Sequence, residues 1–178
     1  MIAQPTILER LTTRVGEVDW EALYREQLPR VYNFFRYRVG DGLVAEDLTA
    51  TTFEKAWRAR RRYRDNLGAF STWLFTIARN VATDYFRQQH QELSLEDMRD
   101  QTDPTLPEEA LQSRDDLAHL SALLASLPAR ERELVALKYG AGLTNREIAR
   151  QTGLSESNVG TILYRVVQQL RAWWEDER

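Results

Sequence analysis

The chain has 178 residues, of which 43% are hydrophobic and 29% are charged, a composition typical of a globular protein that excludes a mostly disordered one. It contains no cysteine, so disulfides, thiolate chemistry and cysteine-based zinc sites are excluded. The net charge of −3 is unevenly distributed, because residues 91–116 carry 2 Lys/Arg against 9 Asp/Glu whereas residues 55–90 carry 8 against 2.

The start of the chain carries no recognisable targeting or membrane signal. No apolar run approaches the roughly 18 residues that a membrane-spanning helix needs, and residues 1–14 lack the pattern of a signal peptide. We therefore expect a cytoplasmic protein without membrane insertion. The two histidines, His90 and His119, form no metal-ligand pattern, so we expect no metal and no other cofactor.

Apolar residues recur three and four positions apart through most of the chain, which predicts an all-α fold. The first predicted helix spans residues 19–39, where Pro29 should introduce a kink or start a second helix. The next spans residues 44–63 and ends in the basic run 58–64.

A loop at residues 65–69 precedes the third predicted helix, which runs to about Gln89. Ser71 is its predicted N-cap, and Phe70 and Phe75 are placed as a hydrophobic staple. The polar face of this helix includes Asn80, Asp84 and Arg87.

Residues 92–116 lose the helical periodicity, contain Pro104 and Pro107, and are strongly acidic. This pattern predicts a flexible linker between two small helical domains, at residues 1–91 and 117–178. In the second domain Pro128 suits the first turn of a helix that stops at Gly140.

Residues 144–170 carry the signals of a helix-turn-helix. Thr144 and Glu147 form a capping box, Gly153 supplies a tight turn, and Ser155 caps a longer second helix. In such units the second helix enters the major groove of DNA. Its outward residues have the chemistry for contacting bases and phosphates: Ser157, Asn158, Thr161, Tyr164, Arg165 and Gln168.

A second candidate site lies at the basic end of the second predicted helix. Arginines there can follow phosphates, while rings and amides can receive unstacked bases, so the composition suits single-stranded nucleic acid. The residues are Arg62, Tyr63, Arg64, Asn66 and Phe70, and the polar face of the next helix extends the set. The alternative is a solvated basic helix end with Phe70 and Trp73 in the core.

Three motifs in this order resemble the extracytoplasmic-function sigma factors, members of the sigma-70 family of bacterial RNA polymerase subunits. Residues 45–57 resemble the polymerase-clamp-binding helix of the second sigma domain, and residues 73–87 resemble the minus-ten recognition helix. Residues 127–133 followed by 143–171 resemble the fourth sigma domain. The resemblance covers nearly all of residues 20–171 except the linker.

The resemblance implies a non-enzymatic subunit that binds core RNA polymerase and directs promoter recognition, DNA melting and transcription initiation. The first domain would dock on the polymerase clamp through Asp47 and Phe53, melt the minus-ten element and capture a flipped base. The second domain would bind the minus-thirty-five element and the polymerase flap. The linker would thread toward the active-site cleft, and an anti-sigma factor is a further expected partner.

Departures from the family pattern limit what is carried over. Ala50 and Thr51 stand where glutamine and glutamate are common, and Gly160 and Ile162 stand where the recognition helix is often basic. Arg165 is thus left as the main cation of the predicted recognition helix. A stand-alone helix-turn-helix regulator and a helical adaptor or anti-sigma-type module are the alternatives, and no carboxylate cluster or nucleophile with a base partner supports an enzyme.

Overall fold

In a computed structural model of the chain, which describes residues 19–64, 69–96 and 111–176, every regular element is helical. The all-α prediction is confirmed. The helices are α1 (Trp20–Val39), α2 (Gly42–Ala59), α3 (Phe70–Glu96), α4 (Leu111–Ser126), α5 (Ala129–Val135), α6 (Asn145–Thr152) and α7 (Glu156–Asp176), with a 3-10 turn at Arg60–Arg62 and a π-helical turn at Ala136–Gly140.

The first two helices begin at aspartate caps. The Asp19 carboxylate accepts a hydrogen bond from the Ala22 backbone N–H, and the Asp41 carboxylate accepts one from Val44. Each satisfies a backbone donor that the first helical turn leaves without a partner. Pro29 lies inside the continuous helix α1, so of the two predicted alternatives the start of a second helix at this residue is wrong.

The start of α3 also differs from the prediction. This helix begins at Phe70, and the Trp73 N–H bonds to the Ala69 carbonyl, so Ser71 lies within the first turn and is not the N-cap. The proposed staple residues Phe70 and Phe75 are nevertheless both buried. The helix therefore starts two residues earlier than the serine signal indicates, with Phe70 packed in the core.

The helices around the predicted linker are longer than expected. Helix α3 continues to Glu96 and α4 begins at Leu111, so both ends of the predicted linker 92–116 are helical, while residues 97–110 lie outside the described residues. Glutamine, glutamate and leucine dominate residues 88–96, and all three are good helix formers. The acidic composition therefore did not prevent helix formation there.

Helix α1 packs against both halves of the chain and joins them in one hydrophobic core. Its buried residues Phe34 and Phe35 belong to the same cluster as Leu134 and Leu137 of the second half. At Gly140 a Cβ atom would lie 2.8 Å from the Asn33 carbonyl oxygen, so only glycine allows this backbone approach. The sequence left open whether the two domains separate, and in this structure they are in contact.

Arginines add polar bonds across this contact. Arg30 Nε donates to the Ala141 carbonyl at 2.8 Å, and an Arg38 guanidinium nitrogen donates to the Ala129 carbonyl at 3.0 Å. Arg79 forms an ion pair with Glu133 at 2.9 Å and also donates to the Gln151 carbonyl. Burial lowers the pKa of Arg38, which stacks its guanidinium over Phe86 at 4.8 Å from the ring centroid.

Candidate nucleic-acid and polymerase interfaces

Helix α7 presents a polar stripe to solvent, as the helix-turn-helix prediction expects. Gly153 adopts the left-handed conformation with φ of 73° and ends α6, and the Ser155 hydroxyl accepts a hydrogen bond from the Asn158 N–H. Val159, Leu163 and Val166 are buried on the opposite side. All members of what we call the α7 stripe are exposed: Ser157, Asn158, Thr161, Tyr164, Arg165 and Gln168.

The capping box that orients α6 is formed. The Thr144 hydroxyl accepts from the Glu147 N–H, and the Glu147 carboxylate accepts from the Thr144 N–H at 2.7 Å. Partial burial tends to raise the pKa of Glu147, but the hydrogen bonds from Thr144 and the nearby charges of Arg30 and Arg150 outweigh it, so the pKa is lowered. The two helices of the unit thus start at fixed residues.

The structure gives Arg165 and Gly160 contacts that the sequence did not predict. Arg165 is not a free cation, because it forms an ion pair with Glu131 of α5 at 2.6 Å. Gly160 lies where α7 meets α6, and a Cβ added there would be 3.4 Å from the Asn145 side-chain nitrogen. The ion pair joins residues 34 positions apart, so no local sequence signal could have revealed it.

The polar face of α3 borders a pocket of about 470 Å³ against α2, which we call the α3 pocket. Asn80 and Asp84, both predicted site residues, line it, together with Lys55, Ala59, Ile77 and Thr83. Asp84 forms ion pairs with Lys55 at 3.4 Å and with Arg87 at 2.8 Å. Sequence reasoning missed Lys55, although its place in the basic stretch 55–90 was a signal.

The 3-10 turn at Arg60–Arg62 leads into the next predicted site residues. Arg62 and Arg64 are exposed and Tyr63 is half-buried, whereas Asn66 lies outside the described residues. Arg60 stacks over the Trp57 ring at 4.1 Å from its centroid and donates to the Trp57 carbonyl. The turn therefore keeps several guanidinium groups at the surface near the α3 helix start.

Phe70, a predicted nucleic-acid contact, is buried in this structure. Only 8% of it is exposed, and its ring meets those of Trp20, Tyr63 and Trp73 at centroid distances of 5.3–5.5 Å. These rings and Trp57 form what we call the aromatic cluster, in which Trp20 edges against Trp57 at 6.0 Å. Its packing among these rings leaves Phe70 little surface for contact with a base.

The two predicted polymerase contacts lie on different sides of α2. Asp47 is exposed, and Phe53 is half-buried against Tyr24 at a centroid distance of 4.6 Å. At 100° per residue, six positions separate them by roughly 120° around the helix. A partner that touches both must therefore cover a broad face of α2.

Neither a metal cluster nor a membrane-spanning helix is found in the part of the chain that the structure describes. No group of three or more His, Asp or Glu residues there could hold a metal ion. None of its helices is both long and apolar enough to cross a bilayer.

Models of two protein families match the chain, and they match the two halves separately. The sigma-70 region 2 model matches residues 23–92, and the sigma-70 region 4 model matches residues 118–170. The first match covers most of α1, all of α2 and most of α3, and the second covers the second half of α4, all of α5 and α6, and most of α7.

Curated relatives extend this match over most of the chain. SigM of Bacillus subtilis, an ECF RNA polymerase sigma factor, is 30% identical over 85% of this chain and 93% of its own length. CarQ of Myxococcus xanthus, an RNA polymerase sigma factor, is 32% identical over 89% of this chain and 91% of its own length.

The chain belongs to the ECF sigma factors.

A third relative, the ECF RNA polymerase sigma factor BldN of Streptomyces coelicolor, is 34% identical. The match covers 92% of this chain and 64% of BldN. Solved structures show the same fold. A sigma factor RpoE bound to the anti-sigma factor NepR from Bartonella quintana has a TM-score of 0.72 at 23% identity, with 90% of this chain and 99% of that chain covered. CnrH in complex with the cytosolic domain of CnrY has a TM-score of 0.62 at 22% identity, with 88% and 86% covered. The resemblance to the ECF sigma factors that the sequence motifs indicated is confirmed. The alternative hypotheses, a stand-alone regulator or a helical adaptor, are not favoured.

Proposed function

We propose that this sigma factor recognises promoters through two surfaces: the α3 side of the first domain takes the minus-ten element, and the α7 stripe takes the minus-thirty-five element. The observation that carries the proposal is the pairing of the α3 pocket with the exposed α7 stripe in one chain that matches both sigma regions. Each surface suits a different form of DNA.

The α3 pocket suits a single nucleobase taken out of the stack. Its volume of about 470 Å³ lies in the range of small-molecule sites, and Asn80, Asp84 and Lys55 offer hydrogen-bond donors and acceptors at its wall. Arg62 and Arg64 are exposed and follow the pocket residue Ala59 by three and five positions, so we expect them to contact phosphates of a strand bound at the pocket. These features support melting followed by capture of one base.

The α7 stripe suits the major groove of intact duplex. Asn158 and Arg165 are the side chains that make bidentate contacts with adenine and guanine, and both are exposed in the first three turns of the second helix. Thr161 and Tyr164 add a methyl group and a ring beside them. We expect base contacts from these residues and phosphate contacts from Ser157 and Gln168.

We propose that core RNA polymerase holds the first domain by its clamp at Asp47 and Phe53 and the second domain by its flap. The acidic linker 92–116 would then run toward the active-site cleft. The catalytic step belongs to the polymerase, so this sigma factor itself would catalyse no reaction and would work in the cytoplasm, where chromosomal promoters are.

We also propose an anti-sigma factor as a partner. Two solved structures with this fold are complexes, and in one of them a sigma factor is bound to a protein named as an anti-sigma factor. The domain contact around Gly140 gives such a partner a defined closed form to bind.

Run-off transcription with purified core polymerase on a randomised promoter library tests the proposal. We expect specific initiation only when this chain and core are both present, and the selected promoters should share two elements. Gel shifts at fixed salt should give stable specific complexes only with core, because the basic surface of the free chain is small and lies near an acidic segment. Tight specific binding without core, unchanged on adding core, would favour a stand-alone regulator.

A further inference from the structure

The end of α6 lies against the polar side of α3, next to the α3 pocket. The side-chain amide of Gln151 donates to the Thr72 carbonyl at 2.6 Å, and its oxygen lies 3.3 Å from the Thr76 hydroxyl. The backbone carbonyl of Gln151 accepts a further bond from Arg79. An amide offers a donor beside an acceptor, as the edge of a nucleobase does. Gln151 therefore occupies groups on α3 that a base could use.

These groups continue the surface of the α3 pocket. Thr76, Asn80 and Thr83 fall within roughly 60° of one another around the helix, and the last two line the pocket. Arg79 lies one turn before Thr83, whose hydroxyl donates to the Arg79 carbonyl at 2.9 Å. A strand that extends from the pocket toward the start of α3 would meet Arg79 and Thr76.

An anionic group of the second domain already holds Arg79. Its Nε lies 2.9 Å from the Glu133 carboxylate, and the two side chains are only 24% and 20% exposed, so water screens this pair less than the surface pairs. Burial lowers the pKa of Arg38, the Glu133 carboxylate raises it, and the charges of Arg132 and Arg79 lower it further. Three guanidinium groups thus share one carboxylate, which leaves an excess of positive charge for another anion.

We propose that the second domain masks a binding site for single-stranded DNA on the side of α3 that carries Thr76 and Arg79. While the domains are in contact, Glu133 takes the place of a phosphate and Gln151 takes the place of a base. Arginine binds carboxylate and phosphate with the same geometry, so separation of the domains frees Arg79 for the strand. The masking rests on the proposed function, because a promoter strand is the ligand that α3 would otherwise bind.

Fluorescence anisotropy of the full chain with a labelled single strand of about ten nucleotides of random sequence tests the masking. Glu133→Gln removes the ion pair and leaves Arg79 able to bind a phosphate. We expect this variant to bind the strand about three to ten times more tightly than wild type, because more molecules have the site uncovered. Glu175→Gln is the matched control, since it removes the same charge from an exposed position near the end of α7.

Arg79→Gln separates a DNA contact from a merely structural role. It also removes the ion pair but keeps a donor for the Gln151 carbonyl, so it should uncover the site without supplying a phosphate partner. Each neutralised phosphate adds about 0.7 to the slope of log affinity against log salt concentration for single strands. We therefore expect a steeper slope in Glu133→Gln than in Arg79→Gln. Equal slopes and equal affinities in the two variants would overturn the assignment of Arg79 to a phosphate.

Gln151→Ala tests the base position while the ion pair remains. We expect about threefold tighter binding of the strand, since the two side-chain contacts to α3 are lost. If neither Gln151→Ala nor Glu133→Gln binds more tightly than wild type and Glu175→Gln, the masking is overturned; these two variants decide it even where Arg79→Gln fails to fold by circular dichroism. Absence of run-off transcription in wild type and every variant would instead count against the sigma function, while anisotropy still decides whether α3 carries a masked site.

Discussion

Arg165 combines a place on the α7 stripe with an ion pair to Glu131. The arginine side chain is 65% exposed whereas that of Glu131 is 18% exposed, so water screens the pair mainly on the arginine side. A bidentate contact to guanine is worth about 1–3 kcal/mol of discrimination, so we expect guanine to compete with the carboxylate for Arg165. The pair orients the guanidinium in the free protein and would have to break or rearrange when Arg165 contacts a base.

We expect Arg165→Ala to reduce initiation at promoters that depend on the minus-thirty-five element by about fivefold or more. Arg171→Ala is the matched control, because Arg171 is exposed on the same helix but lies beyond the N-terminal turns that we propose to contact bases. Run-off transcription on promoters with and without that element measures both variants. Equal loss for the two variants would assign Arg165 to general phosphate binding.

Asn80 is the residue of the α3 pocket with an amide side chain, which offers a separate donor group and acceptor group. We expect Asn80→Ala to flatten the preference for one base of the minus-ten element, by about 1–3 kcal/mol, while folding is unchanged because the residue is exposed. Gln88→Ala, exposed on the same helix outside the pocket, should keep the preference. Initiation rates on promoters substituted at each minus-ten position provide the measurement, and an unaltered preference in Asn80→Ala would remove the residue from the site.

At the scale of single elements, the capping box of α6 offers a stability test. We expect Thr144→Ala to lower the free energy of unfolding by about 0.5–2 kcal/mol, whereas Thr144→Ser keeps the hydroxyl and should cost much less. Urea unfolding followed by circular dichroism measures both. Indistinguishable Ala and Ser variants would mean that the cap contributes little to the fold.

The acid dependence of the same element follows from Glu147. Its pKa is lowered in the folded chain, so the charged form adds stability above its ordinary pKa of about 4.5, and that stability is lost as pH falls through the lower folded value. Wild type and Glu147→Gln should therefore differ most near neutral pH and converge in acid. A difference in unfolding free energy that stays constant with pH would show that the charge of the Glu147 carboxylate does not contribute to the stability of the capping box.

The caps and turns of the helix-turn-helix could be read from the sequence, because their signals are local. Thr144, Glu147, Gly153 and Ser155 each act within a few residues, and each takes the expected role. Contacts that join distant segments carry no such signal. The Arg30 bond to Ala141 spans 111 residues and could come only from the structure. For Phe70 the sequence left open a nucleic-acid contact or a place in the core, and the ring contact with the distant Trp20 favours the core.

At the scale of the whole molecule, the contact between the two domains conflicts with simultaneous promoter binding. The two elements lie about 25 base pairs apart, which is roughly 85 Å of B-DNA. A compact chain of this length is only about 40 Å across. If the α3 pocket and the α7 stripe engage one promoter together, the contact around Gly140 must open, and core polymerase is the partner that can hold the domains apart.

Gly140→Ala should open this contact in the free protein, because the added Cβ would lie 2.8 Å from the Asn33 carbonyl oxygen and 2.9 Å from the Phe34 Cα. Gly160→Ala is the matched control, since its Cβ meets only a side-chain nitrogen at 3.4 Å and alanine favours the helix by about 1 kcal/mol. The chain lacks cysteine, so Gln88→Cys and Ala172→Cys accept a unique pair of dyes for energy transfer. We expect lower energy-transfer efficiency in Gly140→Ala than in wild type or Gly160→Ala. An unchanged efficiency in Gly140→Ala would mean that the neighbouring backbone shifts to accommodate the added Cβ and that the domains stay in contact.

The backbone approach at Gly140 also determines how an opening would proceed. Attraction between touching atoms decays within fractions of an ångström, and a gap of about 0.5–1 Å already forfeits a quarter to a half of it. Helices that meet backbone to backbone thus have no stable position slightly apart, and packed contacts of this kind are bistable. A ligand that binds the form with separated domains would therefore raise the fraction of molecules in that form. In each molecule the two domains would be either in full contact or fully separated.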